Sequence, residues 1–291
     1  MSNNAEILIT GATGSIGKEL TKYLSSKGIP FRAMVRSLED AREIASLPGA
    51  ELIQGDFDDP KSVKRALEGT EKAFLLTNSS EKAEQQQCAF VEIAAQTGVK
   101  HIVKLSQWAA DINSPVRFLR YHAIVENLIK ESGMNYTFLR PNLFMQGLLG
   151  YREVINKQNL FFGAIGDAKI SLIDVRDIAA VAAEALTTPG HDKRIYNLTG
   201  PEALTHTELA EKLSLAAGRE IKFVDITPEI LKSTLLNVGF PEWQADGLIE
   251  DYAHYKREEA AEILPDVQEV TGLEPRNFDN FAKDYSFLFS V

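Results

Sequence analysis

A glycine-rich segment lies between the first predicted strand and the first predicted helix. Gly11, Gly14 and Gly17 give it the spacing G-x-x-G-x-x-G, which between a strand and a helix is typical of a phosphate-binding loop. Gly11 permits a tight turn, Gly14 lets the backbone approach a pyrophosphate, and Gly17 lets the helix pack close to the sheet. Free N–H groups at the helix start favour an anion; the alternative is a turn whose glycines serve packing alone. The predicted dinucleotide contacts are Gly11, Thr13, Gly14, Ser15, Ile16 and Gly17.

The end of the second predicted strand indicates which dinucleotide the loop would take. Its last residues, 34–37, read MVRS. A site for NAD(H) places Asp or Glu at this point to bind the ribose 2′-hydroxyl, and the sequence has no acid there. Arg36 can instead bind a 2′-phosphate through a forked, charge-assisted contact. We therefore expect NADP(H) to be preferred over NAD(H), and an exposed loop arginine is the alternative.

Two further polar segments follow predicted strands and therefore fall at the same edge of a parallel sheet. Asp56 and Phe57 follow the third strand, where the adenine edge and face would be met. The alternative for this pair is a helix-capping turn ahead of the Asp-rich residues 58–60, and the sequence favours neither interpretation. The residues after the fourth strand that would lie near the ribose and phosphates are Thr77, Asn78 and Ser79.

The elements that must position these residues alternate regularly through the first half of the chain. Strands are predicted at residues 7–10, 31–36, 50–55, 73–77, 101–106 and 136–140, and helices at 15–27, 39–47, 60–68, 82–97 and 116–132. Strands that alternate with helices imply right-handed βαβ units and a parallel sheet covered on both faces. The predicted fold class is α/β, with a Rossmann-type doubly wound parallel sheet. Glycines in C-cap positions are Gly28, Gly69, Gly98 and Gly133.

The alternation changes after about residue 145, where we predict a second, smaller lobe. A helix opened by Asp174 or Asp177, a strand at 195–198, a helix at 203–217 and a strand at 221–226 are expected. From residue 228 onward the pattern is mostly helical, with breaks at 239–241, 264–265 and 274–275. Residues 1–150 are therefore predicted to bind the nucleotide. Residues 151–291 are predicted to form a mainly helical substrate lobe packed on that domain.

Composition excludes several function classes. Apolar residues make up 44% and charged residues 25% of 291 residues, which allows a core without disulfides or a structural metal. The net charge of −10 (31 Lys+Arg against 41 Asp+Glu) argues against nucleic-acid binding. Cys88 is the single cysteine and the histidines occur singly, so no disulfide or metal site is predicted. With no signal peptide and no long apolar run, we expect a cytoplasmic protein without a membrane span.

Seven motifs follow one another along nearly the whole chain, and their order is specific. They are ILITGATGSIGKEL, MVRS, GDFDDPKSV, HIVKLSQWAA, SGMNYTFLRPNLFMQ, SLIDVRDIAAVA and VTGLEPRNFDNFAKDY. Together they resemble the atypical NmrA-like branch of the short-chain dehydrogenase/reductase superfamily. The branch includes triphenylmethane-dye reductases, azo-dye reductases and NADPH:quinone oxidoreductases. The resemblance therefore implies an NAD(P)H-dependent oxidoreductase.

The chain departs from the catalytic pattern that the resemblance implies. Most superfamily enzymes pair a Ser after the fifth strand with Tyr-x-x-x-Lys on the next helix, where the Lys lowers the tyrosine pKa. Ser106 is in place, but Tyr121 is followed four residues later by Val125. Isoflavone-reductase relatives use a lysine on this helix, and that position falls on His122. We predict catalytic roles for Ser106, Tyr121 and His122; His122 relays a proton or, alternatively, is a plain helix-surface histidine.

Hydride transfer without a positioned acid suits an acceptor that spreads its own negative charge. Quinones, azo bonds and cationic dyes do so, and the protein must then hold a flat molecule against the nicotinamide. After the sixth strand, the residues predicted beside the nicotinamide are Pro141, Asn142, Leu143 and Phe144. The residues predicted to form an apolar substrate wall are Trp108, Phe144, Phe161 and Phe162, with ordinary packing as the alternative for each.

Three functions are compatible with these features. The first is an NADPH-dependent reductase of a small conjugated acceptor. The second is a sensor that binds NADP(H) without turnover and controls a regulatory protein partner. A sugar-nucleotide epimerase ranks last, because it normally needs the Tyr and Lys pair. The sequence leaves the oligomeric state and the physiological substrate open.

Overall fold

The structure, a computed structural model, describes residues 5–289, and its first half alternates strands and helices as predicted. The strands are β1 (Ile7–Ile9), β2 (Phe31–Val35), β3 (Ala50–Gln54), β4 (Lys72–Leu75), β5 (His101–Leu105) and β6 (Asn135–Pro141). The helices are α1 (Ser15–Ser26), α2 (Arg42–Ala45), α3 (Pro60–Leu67), α4 (Ala83–Thr97) and α5 (Arg117–Glu131). Only α2 is much shorter than its predicted segment. The glycines predicted at helix ends have left-handed φ between +69° and +87°, at Gly28, Gly69, Gly98 and Gly133.

The strands form one seven-stranded sheet in the order β3-β2-β1-β4-β5-β6-β8, where β8 is Arg194–Leu198. Neighbours among the first six strands pair in parallel, with Leu8 opposite Arg32 on one side and Ala73 on the other. The strand order reverses between β1 and β4. Doubly wound folds bind ligands at that switch point, at the carboxyl ends of the strands. The predicted Rossmann-type fold is therefore confirmed.

One face of the sheet packs against the helices that follow β3, β4 and β5. Leu8, Ile102 and Phe138 from the strands contact Phe90 of α4 and Val125 of α5 in a cluster that excludes water. Burial of such side chains is the main favourable contribution to folding, about 1.5–3 kcal/mol for each large apolar side chain. The cluster fixes β5 and α5 against each other. Two of the three predicted catalytic residues, Tyr121 and His122, lie on α5, and the third, Ser106, follows β5 directly. Half-buried Cys88 packs against this cluster too, and burial raises the pKa of its thiol.

The second half is mainly helical, with one small sheet. A 3₁₀ helix (Met145–Tyr151) and α6 (Arg152–Gln158) lead to β7 (Leu160–Gly163), and α7 is Val175–Thr187. After β8 come α8 (His206–Ala217), β9 (Lys222–Asp225), α9 (Pro228–Asn237), α10 (Glu242–Lys256), α11 (Asp266–Thr271) and α12 (Phe278–Asp284). The breaks predicted at 239–241, 264–265 and 274–275 all fall between helices. The four-residue β7, which pairs in parallel with β9, was not predicted.

Side-chain caps set the starts of two helices in this half. The Asp174 carboxylate accepts a hydrogen bond from the Arg176 N–H at 2.9 Å, so the first of the two predicted aspartates opens α7. The Thr205 hydroxyl accepts from the Glu208 N–H, and the Glu208 carboxylate accepts from the Thr205 N–H, which forms a capping box at α8. Both helices therefore begin at the residues that satisfy their first N–H groups.

Two compact units divide the chain, and both are built from separated segments. Among the described residues, unit 1 consists of 5–113, 119–140 and 178–196, and unit 2 consists of 114–118, 141–177 and 197–289. The sequence pattern predicts a single boundary near residue 150, whereas the bounds of these units interleave. The assignment of the cofactor to one domain and of the substrate to the other stays a prediction.

Two kinds of feature are absent from the described part of the chain, a membrane-spanning helix and a cluster of metal ligands. Across residues 5–289, no helix is long and apolar enough to cross a bilayer. The same residues contain no cluster of three or more His, Cys, Asp or Glu side chains arranged to hold a metal ion.

Candidate active site

The glycine loop begins at the carboxyl end of β1, where Thr10 fixes it to β4. Thr10 is fully buried, and its N–H donates to Phe74 O at 3.1 Å. Its hydroxyl accepts from the Leu76 N–H at 2.9 Å and lies 2.9 Å from Phe74 O. The loop therefore leaves the sheet at a fixed point beside the strand-order switch.

The three glycines of the loop meet different steric demands. Gly11 has φ +63°, and a Cβ on it would lie 2.8 Å from the Leu76 side chain. A Cβ on Gly17 would lie 2.2 Å from Gly11 O and 2.7 Å from Ala12 Cα. The close approach that Gly17 permits is therefore between α1 and the backbone of its own loop, and its role in packing the helix on the sheet stays a prediction. Gly14 has φ −77°, and its Cβ would lie 3.3 Å from Gly11 O.

The amino terminus of α1 is open to an anion. Gly14 is the N-cap and provides no side-chain hydrogen bond, and the first turn contains no acidic residue. Thr13, Gly14 and Ser15 are exposed, whereas Ile16 is buried. N–H groups without a capping side chain, at the positive end of the helix dipole, attract phosphate oxygens. The conformation of the loop therefore fits the pyrophosphate of a dinucleotide.

Arg36 follows the last residue of β2 and is exposed. Gln54 Nε2 donates to Arg36 O at 3.0 Å, which fixes the backbone at this point. Glu39, one of the nearest acids in sequence, forms an ion pair with Arg42. The position has the positive charge and the exposure that a 2′-phosphate site needs, and its contact with a cofactor stays a prediction.

The polar residues after β3 and β4 have local partners. Asp56 Oδ1 accepts from the Asp58 N–H at 3.0 Å, so its side chain stabilises the turn that leads to α3, whereas the helix itself is capped by Asp59. Phe57 is half-buried, and its ring lies 5.8 Å from that of Phe90. Thr77 Oγ1 accepts from Gln87 Nε2 at 2.8 Å, while Asn78 is exposed. A nucleotide contact by any of these residues stays a prediction.

Ser106 belongs to a buried ionic cluster. Its hydroxyl donates to Glu126 Oε1 at 2.6 Å, and the Arg140 guanidinium donates to both oxygens of the same carboxylate, at 2.9 and 2.5 Å. Glu126 is only 1% exposed, so its charge depends on these donors. Because the Ser106 proton is bonded to a carboxylate, this hydroxyl is held as a donor to protein and not to a substrate carbonyl.

His122 is buried and is bonded to a lysine that we did not predict. His122 keeps 7% of its surface exposed, so the alternative of a helix-surface histidine is wrong. Its Nδ1 lies 2.7 Å from Nζ of the fully buried Lys104, which also donates to Leu105 O at 3.0 Å. Burial, followed by the charges of Lys104 and Arg140, holds the His122 pKa well below its usual value. His122 is therefore neutral at physiological pH.

Tyr121 connects this pair to the loop after β4. Its hydroxyl lies 3.2 Å from Ser79 Oγ, and its ring lies 4.2 Å from that of His122. The structure thus brings together all three predicted catalytic residues within β5, α5 and the segment between them. Tyr121 has hydrogen-bonding contact with one of the predicted ribose-side residues, Ser79.

The segment after β6, which belongs to unit 2, is held by its own unit. The Asn142 amide donates to Ser171 Oγ and to Ala260 O, each at 2.8 Å, and its oxygen accepts from the Leu143 N–H. Asn142 is 2% exposed, so its side chain is engaged in the fold rather than offered to a ligand. Pro141 is buried, and Phe144 is half-buried and forms an isolated parallel β-bridge with Ile173. A position beside the nicotinamide stays a prediction for this segment.

The aromatic residues proposed for a substrate wall lie in different surroundings. Phe161 is fully buried, and its ring contacts those of Tyr151 and Phe223, so packing is its observed role. Phe162 is half-buried and meets Tyr151 edge-on at 5.2 Å. Trp108, in unit 1, is 8% exposed. Direct contact of these rings with a substrate stays a prediction.

Sequence reasoning missed Lys104, Glu126 and Arg140, the charged part of this cluster. A signal was present in each case, because a charge interrupts an otherwise apolar segment. Lys104 stands within HIVKL, and Glu126 lies between the apolar residues of α5. Charged residues are almost never fully buried unless they are paired, so a charge in a core strand indicates a network.

Comparison with known proteins gives a consistent family assignment. The chain is 40% identical over 285 residues to the NAD(P)H azoreductase of Xenophilus azovorans, covering 98% of this chain and 99% of the other. An NADPH-dependent quinone oxidoreductase from Escherichia coli, solved with NADPH, is 28% identical with a TM-score of 0.86 and coverages of 96% and 99%. The Citrobacter sp. triphenylmethane reductase, solved with NADP(H), is 27% identical with a TM-score of 0.84 and the same coverages. The model of the NmrA-like family matches residues 3–282. The chain belongs to the NmrA-like family, as its motifs predicted.

Proposed function

We infer that this protein is an NAD(P)H-dependent reductase of small conjugated acceptors of the quinone or azo-dye type. The observation that carries the inference is the glycine loop, whose tight backbone and uncapped helix start fit a dinucleotide pyrophosphate. The relatives described above are reductases named for such acceptors, and the one at 40% identity matches nearly the full length of both chains.

Residues of unit 1 would hold the phosphates of the cofactor. The N–H groups at the start of α1 would bind the pyrophosphate, and Arg36 would bind the 2′-phosphate of NADP(H). When bound, the cofactor supplies a hydride. Because no acid follows β2 directly, NADPH is the expected donor and NADH the weaker alternative.

The chain's own groups favour an acceptor that needs little help from a hydroxyl acid. The Ser106 proton is held by Glu126, and α5 has no lysine four residues after Tyr121. A ketone would therefore lack the donor that most superfamily enzymes provide. A conjugated acceptor delocalises the added charge, so positioning contributes most of the catalysis.

A sensor that binds the cofactor without turnover is not favoured, because the relatives at 33–40% identity over nearly the whole chain are named as reductases. A regulatory protein partner and a cytoplasmic location stay predictions from the sequence.

The deciding experiment is nicotinamide oxidation by the purified protein with a quinone, an azo dye and a triphenylmethane dye. We expect turnover with at least one acceptor, and faster turnover with NADPH than with NADH. Arg36→Ala should remove about 10- to 100-fold of that preference, since a hydrogen bond between charged groups contributes about 1.5–3 kcal/mol. Arg42→Ala is the matched control, because that nearby side chain is 76% exposed and paired with Glu39. Tight NADPH binding with no turnover across the panel would contradict the proposal.

A further inference from the structure

Lys104, near the carboxyl end of β5, carries a fully buried amino group. Its Nζ donates to Leu105 O at 3.0 Å and lies 2.7 Å from His122 Nδ1. Among residues 5–289, no carboxylate forms an ion pair with it, since the nearby Glu126 binds Ser106 and Arg140. A buried ammonium whose closest side-chain partner is a neutral imidazole is costly to keep, and such groups concentrate at functional sites.

Charged and titratable groups face Lys104 from three elements. Glu126 from α5 and Cys88 from α4 favour its charged form, and Arg140 from β6 disfavours it. Burial has the largest effect, and the Lys104 pKa falls to about 7. Near neutral pH this amino group can therefore both hold and release a proton. The imidazole of His122 is the side-chain acceptor within reach.

The hydrogen bond fixes the tautomer of His122. An ammonium has donors only, so the His122 Nδ1 must accept and the ring hydrogen must be on Nε2. The ring lies against Tyr121, whose hydroxyl contacts Ser79 in the loop after β4. Loops and strand ends at this edge are where doubly wound folds hold their ligands. His122 therefore presents an N–H donor within the unit that carries the cofactor loop.

We propose that Lys104 and His122 form a proton relay that protonates the reduced acceptor, an inference that rests on the proposed reductase function. A quinone or azo acceptor that has received a hydride carries a negative charge on oxygen or nitrogen. The His122 Nε2–H bond breaks as that proton bonds to the acceptor atom, and Nδ1 takes a proton from Lys104 Nζ. His122 stays neutral as the other tautomer, and Lys104 becomes a neutral amine. The relay resets when His122 Nε2 takes a proton from solvent and Nδ1 returns its proton to Lys104 Nζ. Lys104 thus acts as a positioning residue, through His122.

Two classes of acceptor separate the relay from the reductase function itself. Quinones and azo dyes need a hydride and a proton, whereas a triphenylmethane cation becomes a neutral product with a hydride alone. Lys104→Met should lower quinone or azo turnover about 100-fold, within the range of general acid catalysis, and leave dye-cation turnover unchanged. Lys100→Met is the matched control, because that lysine is 66% exposed and paired with Glu71, and both acceptors should be unaffected.

A second variant separates proton supply from orientation. Lys104→Arg keeps a donor toward His122 Nδ1, but a guanidinium does not release its proton in this pH range. We expect this variant to retain the Nε2–H tautomer and still to reduce quinones slowly. Recovery of full quinone turnover in Lys104→Arg would reduce the role of Lys104 to orientation and overturn the relay.

The tautomer can be read without cofactor or substrate. Nitrogen-15 NMR of the apoprotein at pH 6 should show His122 protonated on Nε2 only, and Lys104→Met should give a mixture of tautomers. An Nδ1–H tautomer in the wild type would overturn the relay. So would equal slowing of quinone and dye-cation reduction in a folded Lys104→Met protein. Absence of turnover with every acceptor in the wild type would instead refute the reductase function, which keeps the two failures distinct.

Discussion

Replacing Lys104 by methionine tests whether the sheet holds a titrating amino group. Burial lowers the Lys104 pKa from 10.5 to about 7. Between those values the unfolded chain carries a proton on this lysine that the folded chain has released. The free energy of unfolding therefore rises with pH across this window, and that rise is absent without the lysine.

The magnitude follows from the displacement of the pKa. Each unit between the folded and unfolded values is worth about 1.4 kcal/mol. The folded protein has this lysine half-protonated near pH 7. Between pH 7 and pH 9, the free energy of unfolding of the wild type should therefore rise by about 2 kcal/mol more than that of Lys104→Met. Loss of the hydrogen bonds to Leu105 O and His122 Nδ1 also changes the stability of the variant. That change is largely the same at every pH in the window, so the slope isolates the titration.

Urea unfolding of the apoprotein at pH 7, 8 and 9, at constant ionic strength, measures this difference. Lys100→Met should follow the wild-type slope, because its side chain is exposed. Parallel pH dependences for wild type and Lys104→Met would mean that Lys104 stays charged through this range, and would refute the reasoning.

Three further substitutions have expected outcomes. Gly17→Ala places a Cβ 2.2 Å from Gly11 O, so the loop must shift. Titration should show NADPH binding weakened at least about tenfold, and unchanged affinity would contradict the loop assignment. Gly247→Ala places a Cβ 2.3 Å from the Phe118 ring, and urea unfolding should show unit 2 destabilised by about 1–3 kcal/mol. Adding Phe118→Leu to the same chain should recover part of this loss, and no recovery would argue against the contact. Thr205→Ala removes the capping box of α8 and should lower the free energy of unfolding by about 1 kcal/mol, while Thr205→Ser should retain most of it.

The fold was predictable because its signals are local. The apolar runs of β1 to β6 and the helix-ending glycines are each visible within a few residues, and a βαβ alternation permits few topologies. The four-residue strand β7, LFFG, was not predicted because it gives no local signal. It is too short to show a hydrophobic periodicity, and it forms through its pairing with β9.

The candidate site was predictable only in part. The uncapped start of α1 follows from its sequence, because the N–H groups belong to the segment that contains the glycines. The state of His122 does not, because it depends on Lys104, 18 positions earlier on another element. Likewise, the sequence suggests that the Ser106 hydroxyl is available as a donor, whereas in the fold it donates to the Glu126 carboxylate at 2.6 Å. Such charge states arise from tertiary proximity, and no pattern of residue types specifies the distances.

The interleaving of the two units bears on how the protein is made. The chain passes between the units after residues 113, 118, 140, 177 and 196, so unit 1 lacks its last segment until Tyr196 has left the ribosome. At about 5–20 residues per second, the 141–196 stretch takes several seconds, during which the edge of β6 lacks its β8 neighbour. An open strand edge pairs readily with other chains. Nascent chains would therefore need chaperones to bind the exposed edge of β6 during this interval. Fragments that end before residue 196 are expected to aggregate.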